Sequence, residues 1–92
     1  MLEKEIEKYL VQRVKAAGGK AYKWVSPGND GVPDRIVFWP NGQVDFVELK
    51  APGKKPTALQ LSKHKELEKL GRTVWVADSK EAVDRFVLQH SF

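Results

Sequence analysis

The sequence predicts an α/β domain in which a central mixed sheet is flanked by helices, folded as one unit over residues 1–92. Three observations predict it. The N-terminal stretch carries an apolar stripe of helical period. Two runs of β-branched and aromatic residues are joined by a tight turn, the pattern of a hairpin. Helices and strands then interleave in the order α-β-β-β-α-β-α, and 92 residues leave room for a single core.

Residues 2–17 make the first helix. Leu2, Ile6, Tyr9, Leu10, Val14 and Ala17 recur at spacings of three and four, the period of one helical face. Gly18-Gly19 ends it by supplying left-handed or flexible backbone. Residues 21–25, with Tyr22, Trp24 and Val25, form a short strand, and residues 26–31 are a loop dense in turn formers. Residues 35–39 and 44–49 are the two arms of the hairpin, turning through Pro40-Asn41-Gly42-Gln43. A basic, proline-bounded loop at 51–56 leads to a helix over 57–70 that closes on Gly71. Residues 73–77 are a fourth strand. Asp78, with Glu81 three residues on, fits a capping box that opens a last helix to about Gln89.

Composition narrows the function classes. At 41% apolar and 30% charged the chain has the make-up of a soluble globular protein. No run approaches the roughly 18 apolar residues of a membrane span. The charged start, MLEKEIEKYL, does not suit the apolar core of a secretory signal. Cysteine is absent, which rules out disulfides and thiolate metal sites and suits a reducing, cytoplasmic setting. Any metal would need oxygen or imidazole donors. His64 and His90 are far apart in sequence, so carboxylates are the better donors, and these favour a hard ion such as Mg2+ or Mn2+. The net charge of +4 favours a polyanionic partner. A chain this short buries a modest share of its surface, so pairing with a second copy is a natural route to stability.

The chemistry concentrates at the hairpin. Glu48 and Lys50 are two apart at the end of a strand, so both point to one side. Taken alone, such a pair is usually solvated surface. Val32-Pro33-Asp34, however, precedes the other arm, and antiparallel pairing brings the start of one arm beside the end of the other. Register decides the outcome. If Trp39 pairs with Val44, Arg35 faces Glu48 and Asp34 points to the opposite side; a slip of one residue sets Asp34 opposite Glu48 on one face. Two adjacent carboxylates repel, and a divalent cation resolves the conflict. Such an ion lowers the pKa of a bound water and stabilises charge on a phosphate oxygen. Lys50 suits the positioning of the attacking water, and the Leu49 carbonyl between the two side chains is a further candidate ligand.

Gly31-Val32-Pro33-Asp34 followed by Glu48-Leu49-Lys50 resembles the PD-(D/E)xK nuclease signature, and more narrowly the virus-type replication-repair nuclease (VRR-Nuc) family. The resemblance covers essentially the whole chain and implies a restriction-endonuclease-like αβββαβ core. It implies Asp34 and Glu48 as metal-binding acids, Lys50 as the catalytic lysine and Gln60 as the glutamine of the following helix. It also implies an acid on the first helix, for which Glu3, Glu5 and Glu7 all offer themselves. At about 100° per residue Glu3 falls inside the apolar stripe, facing inward, so Glu3 is favoured and Glu7 kept second. Structural roles compete throughout. Acids near a helix start are favoured by its dipole without any metal, Thr57 and Gln60 have capping-box spacing, and Pro33 serves to fix the start of a strand. His64 reads as an exposed helix residue or a DNA contact.

Lysines gather near the candidate site: Lys54 and Lys55 after Lys50, Lys63, Lys65 and Lys69 on the second helix, and Lys20 and Lys23 before the loop. Lys23, Lys54, Lys55 and Lys63 are the expected phosphate contacts, giving affinity without sequence readout. No element for reading bases is evident. The resemblance therefore implies a structure-selective endonuclease acting on branched DNA, such as four-way (Holliday) junctions, as a homodimer and without a small-molecule cofactor. Trp24, Trp39, Trp75, Phe86 and Phe92 offer more aromatic surface than one small core needs, in line with an interface. A nuclease this compact suits a phage or mobile element. Two other classes stay open: a catalytically silent nucleic-acid-binding module of the same fold, and a small interaction protein whose charges form a surface ion-pair network.

Overall fold

The structure, a computed structural model, describes residues 1–90. Seven elements follow one another: α1 (Glu3–Ala16), β1 (Lys20–Lys23), β2 (Arg35–Phe38), β3 (Val44–Leu49), α2 (Ala58–Lys69), β4 (Val74–Ala77) and α3 (Lys80–Gln89). The order is the expected one, and element ends differ from expectation by one or two residues. The last helix is capped differently from expectation. Ser79, not Asp78, is its cap, and the Ser79 hydroxyl accepts the Ala82 amide. Ser79 sits in the extended conformation, where its short side chain can turn back onto the first helical turn.

The four strands form one sheet in the order β1-β2-β3-β4. β1, β2 and β3 pair antiparallel, and β3 and β4 pair parallel, with α2 as the crossover that a parallel pair requires. Alternation along each strand sorts the side chains onto two faces. One face carries Ala21, Val37, Val47, Leu49 and Ala77, and it is buried against Ile6, Leu10 and Val14 of α1 and Val83, Phe86 and Val87 of α3. The other carries Tyr22, Ile36, Phe46 and Val74 in one transverse row and is only partly covered, by α2. None of the helices among the described residues is long and apolar enough to cross a membrane.

The aromatic residues divide between these faces. Trp39 and Phe86 are buried and Trp75 is half-buried, all packed with His90, so these three belong to the core and not to a spare surface. Phe92 lies outside the described residues. The exposed apolar side chains include Tyr22, Phe38 and Val76 on the α2 face of the sheet, Leu59 and Leu61 on α2, and Leu70 at its C-terminal end.

The buried face holds a polar group that sequence reading passed over. Asp45, the second residue of β3, is 4% exposed. Its carboxylate accepts the indole N–H of Trp39 (3.0 Å) and of Trp75 (3.3 Å), and His90 Nε2 lies 3.0 Å away. His90 Nδ1 faces the Phe86 carbonyl at 2.8 Å, so each ring nitrogen lies beside an oxygen and the ring is held at both ends. An acid inside an otherwise apolar strand was the available signal. Its partners lie up to 45 residues downstream, beyond any local pattern.

Candidate active site

The hairpin register is the one that brings the acids together. Arg35 pairs with Val47 and Phe38 with Val44, so one step further Asp34 stands opposite Glu48. The sheet neighbour beyond Asp34 is Trp24, whose amide donates to the Asp34 carbonyl at 2.9 Å. Trp24, Asp34 and Glu48 thus form a transverse row on the α2 face, with Val76 completing it on β4. Lys50, two residues beyond Glu48, projects to the same side.

Each acid is held. Asp34 Oδ2 accepts the Leu49 amide at 2.7 Å, at the point just before β2 begins. The carboxylate thereby supplies the acceptor that strand pairing no longer provides. Glu48 is 1% exposed. Gln60 Nε2 donates to Glu48 Oε2 at 3.1 Å, and Lys50 Nζ lies 3.9 Å from the same oxygen. Gln60 also caps its own helix: its amide donates to Thr57 Oγ1, and its Oε1 accepts the Thr57 amide at 2.9 Å. The structural and the site role of Gln60, alternatives on sequence, coexist because the two ends of one amide serve different partners.

The electrostatics are those of two crowded carboxylates that Lys50 offsets only in part. Burial pushes the Glu48 carboxyl up to about 8, and the neighbouring Asp34 adds to this by its charge and by hydrogen bonding. Lys50 opposes the shift, and Glu3 contributes a smaller raising effect. Glu48 Oε1 is buried without a hydrogen-bond partner. It faces His64 Nε2, also buried and unpartnered, at 3.6 Å. His64 is therefore not the exposed residue expected; it points inward from α2 and is 5% exposed. Burial lowers its pKa, so the ring meets Glu48 neutral rather than as an ion-pair partner.

The acids of α1 also sort differently from expectation. Ile6, Leu10 and Val14 are the buried positions, and Glu3, expected to face inward, is exposed. Glu3 sits in the first turn of the helix, one turn before the first buried position, so it is in water yet within the field of Glu48. Glu7 is paired with Arg35 at 2.8 Å, which commits it elsewhere, and Glu5 reaches back to the Leu2 amide at 3.5 Å. Among the expected phosphate contacts, Lys54 and Lys55 are exposed on the loop before α2. Lys63 is partly buried and lies 3.3 Å from Glu66. Lys23 pairs across from Arg35, so alternation turns it to the opposite face from Asp34 and Glu48, away from the others.

Gly31 has a physical reason of its own. Its φ is +88°, and a Cβ there would lie 3.0 Å from Leu59 Cγ and 3.1 Å from the Leu59 carbonyl oxygen. The loop leading to Asp34 thus passes against the backbone of α2 where only glycine fits. Gly31→Ala is expected to destabilise the fold by about 1–3 kcal/mol in urea denaturation. Unchanged stability would show that the loop can move away from α2.

Do these residues suit a divalent ion? Among the described residues no three His, Asp or Glu side chains converge closely enough to enclose one. Magnesium, however, is commonly held by one or two carboxylates, with water and substrate phosphate completing its shell. Asp34 and Glu48 side by side, with a buried oxygen of Glu48 lacking any donor, fit that mode. The Leu49 carbonyl is adjacent by sequence, and Glu3 acts on Glu48 through its charge.

A mixed sheet carrying paired carboxylates and a lysine at the end of a hairpin defines an α/β domain of the PD-(D/E)xK kind. No family model matches the chain. It is 57% identical over 79 residues to "Putative nuclease p44" of Acyrthosiphon pisum secondary endosymbiont phage 1, covering 86% of this chain and 85% of that protein. It also superposes on a solved structure described as a VRR_NUC domain, with a TM-score of 0.87 and 35% identity over 98% of this chain and 97% of the other. The chain belongs to the VRR-Nuc family.

Proposed function

We propose that the protein is a divalent-metal-dependent deoxyribonuclease that hydrolyses phosphodiester bonds of branched DNA, such as four-way junctions, as a homodimer. The observation that carries this reading is the Asp34–Glu48 pair on one face, with Glu48 Oε1 buried and unpartnered. Asp34, Glu48 and the Leu49 carbonyl would hold Mg2+ or Mn2+, with Glu3 acting through its charge. When bound, the ion activates water and stabilises charge building on the phosphate. Gln60 fixes the Glu48 carboxylate by donating to Oε2, the oxygen that Lys50 also approaches. Lys50, beside Glu48, orients the attacking water and offsets negative charge at the phosphate. Lys54, Lys55 and Lys63 bind neighbouring phosphates without reading bases.

The second copy rests on Tyr22, Phe38 and Val76, which are 54%, 45% and 43% exposed on the same sheet face as the acids. Pairing through that face covers the apolar surface and sets two sites side by side, suited to nicking opposed strands of a junction. Action in the cytoplasm agrees with the absence of cysteine, and the phage origin of the relative agrees with a phage-encoded enzyme.

The test is cleavage of a labelled four-way junction beside linear duplex of the same sequence, with magnesium, manganese or chelator. Metal-dependent cutting of the junction in preference to duplex is expected. Lys50→Ala should bind the junction normally and cut it roughly 10²–10³-fold more slowly, the loss seen when one transition-state contact is removed. Equal loss of binding and cutting would sink that role for Lys50. Junction binding by wild-type protein with no cutting in either metal would favour a silent binding module.

A further inference from the structure

We propose that a cleft beside the acids, between loop 26–31 and α2, is a subsite for one unpaired nucleobase next to the bond that is cut. The proposal rests on the nuclease reading and supplies a basis for its preference for branched DNA. The cleft has a volume of about 210 Å³. That is the scale of a single heterocyclic ring system, and too small for a base pair. Trp24, Val32 and Leu67 form its apolar walls, Asn29 supplies an amide, and Lys63 and Glu66 stand at its α2 side.

Position ties the cleft to the chemistry. Trp24 is the sheet neighbour of Asp34, in one row with Glu48. A strand whose phosphate sits at those acids carries an adjacent base towards the indole. Trp24 is half-buried and backed by Phe46, ring centroids 5.2 Å apart and planes at 35°, which fixes the orientation of its ring. Base–aromatic stacking on such a platform is tolerant of sequence, because every base has a π-face.

The polar groups are those a base edge needs. Trp39 and Trp75 direct their indole N–H groups to Asp45, whereas Trp24 Nε1 has no acceptor among the described residues. Asn29 Nδ2 donates to Ser26 Oγ at 3.0 Å, which braces the loop and leaves Oδ1 as an acceptor for a ring N–H or exocyclic amine. In a paired duplex the bases are stacked and inaccessible, whereas flaps, ends and a branch point whose flanking pair has opened present one to such a cleft. The subsite therefore selects structure without selecting sequence.

The test is a binding measurement in chelator, so that it does not depend on cutting. Flapped DNA carrying 2-aminopurine at the unpaired position beside the branch is compared with the same DNA abasic there, and with plain duplex. Wild-type protein is expected to change the 2-aminopurine fluorescence and to prefer the base over the abasic site about tenfold. Trp24→Ala should abolish both, leaving duplex binding unchanged, and Trp24→Phe should retain most of the preference. Asn29→Ala, on an exposed loop, provides a variant that spares the sheet and should lower the preference about threefold. Equal wild-type affinity for base and abasic DNA, or no binding at all, overturns the subsite. Equal weakening of flap and duplex by Trp24→Ala overturns it too. If base preference appears here and no metal supports cutting, the subsite stands and the nuclease reading alone fails.

Discussion

Glu48→Gln is expected to abolish cleavage and, in the same protein, to stabilise the metal-free fold at pH 8. Loss of one ion-binding charge at the reacting centre should lower the rate at least about 10³-fold, roughly 4 kcal/mol of barrier. Stability moves the other way. The folded-state pKa of Glu48 is raised from 4.5 to about 8, chiefly by burial. Below about pH 4.5 the group is protonated in both folded and unfolded chains and contributes nothing to the difference. Between there and about pH 8 the unfolded chain releases its proton while the folded protein retains it, so stability falls as pH rises. The accumulated cost is on the order of a few kcal/mol, corresponding to roughly 10–25 °C in a domain of this size.

Glutamine removes that titration while preserving shape. Its amide oxygen can accept from Gln60, and its amide nitrogen can donate to the unpartnered His64 Nε2. Thermal melts in chelator should show the wild type losing stability from pH 5 to 8 and Glu48→Gln nearly level across that window. Added Mg2+ or Mn2+ should stabilise the wild type at pH 8 and leave the variant unmoved. Parallel melting curves for the two proteins at all pH values would show that Glu48 is not held in the buried, raised-pKa state.

Asp45→Ala should destabilise the protein by about 3–5 kcal/mol, close to what a small domain can bear, with no direct effect on the ion site. Its carboxylate accepts two indole N–H groups, from Trp39 and Trp75, and lies 3.0 Å from His90 Nε2, and all three partners are held in or against the core. Removing it strands two indole N–H groups and an imidazole at once, and leaves a small cavity besides. The His90 ring also stacks on Trp39, planes 3° apart at 5.1 Å, so loosening His90 loosens the end of α3. Urea denaturation at pH 7 measures the loss, and near-ultraviolet circular dichroism reports the tryptophans directly. Because Asp45 faces the helix side of the sheet and Asp34 and Glu48 the other, folded Asp45→Ala protein should bind metal like the wild type. A loss of stability below about 1 kcal/mol would mean that water replaces the carboxylate.

Much of this protein was legible along the chain because its elements are governed by local rules. The period of Ile6, Leu10 and Val14 located the face of α1 that is buried, and the tight turn at 40–43 required an antiparallel hairpin. Hairpin closure alone brought Asp34 near Glu48 and Lys50, since the start of one arm must meet the end of the other. What local pattern does not contain is which polar groups from distant elements meet. The one-residue choice of register decided that Asp34 shares a face with Glu48, and both registers were compatible with the mostly apolar arms. Packing of α2 turned His64 inward and set Gln60 on Glu48, although the helix is polar enough to look exposed there. Arg35 decided between the acids of α1 by taking Glu7, and the fold joined Asp45 to His90 across 45 residues. Periodicity reports how a segment meets water, whereas the pairing of charges depends on three-dimensional closure; the first was determined by the sequence alone, the second only by the tertiary structure.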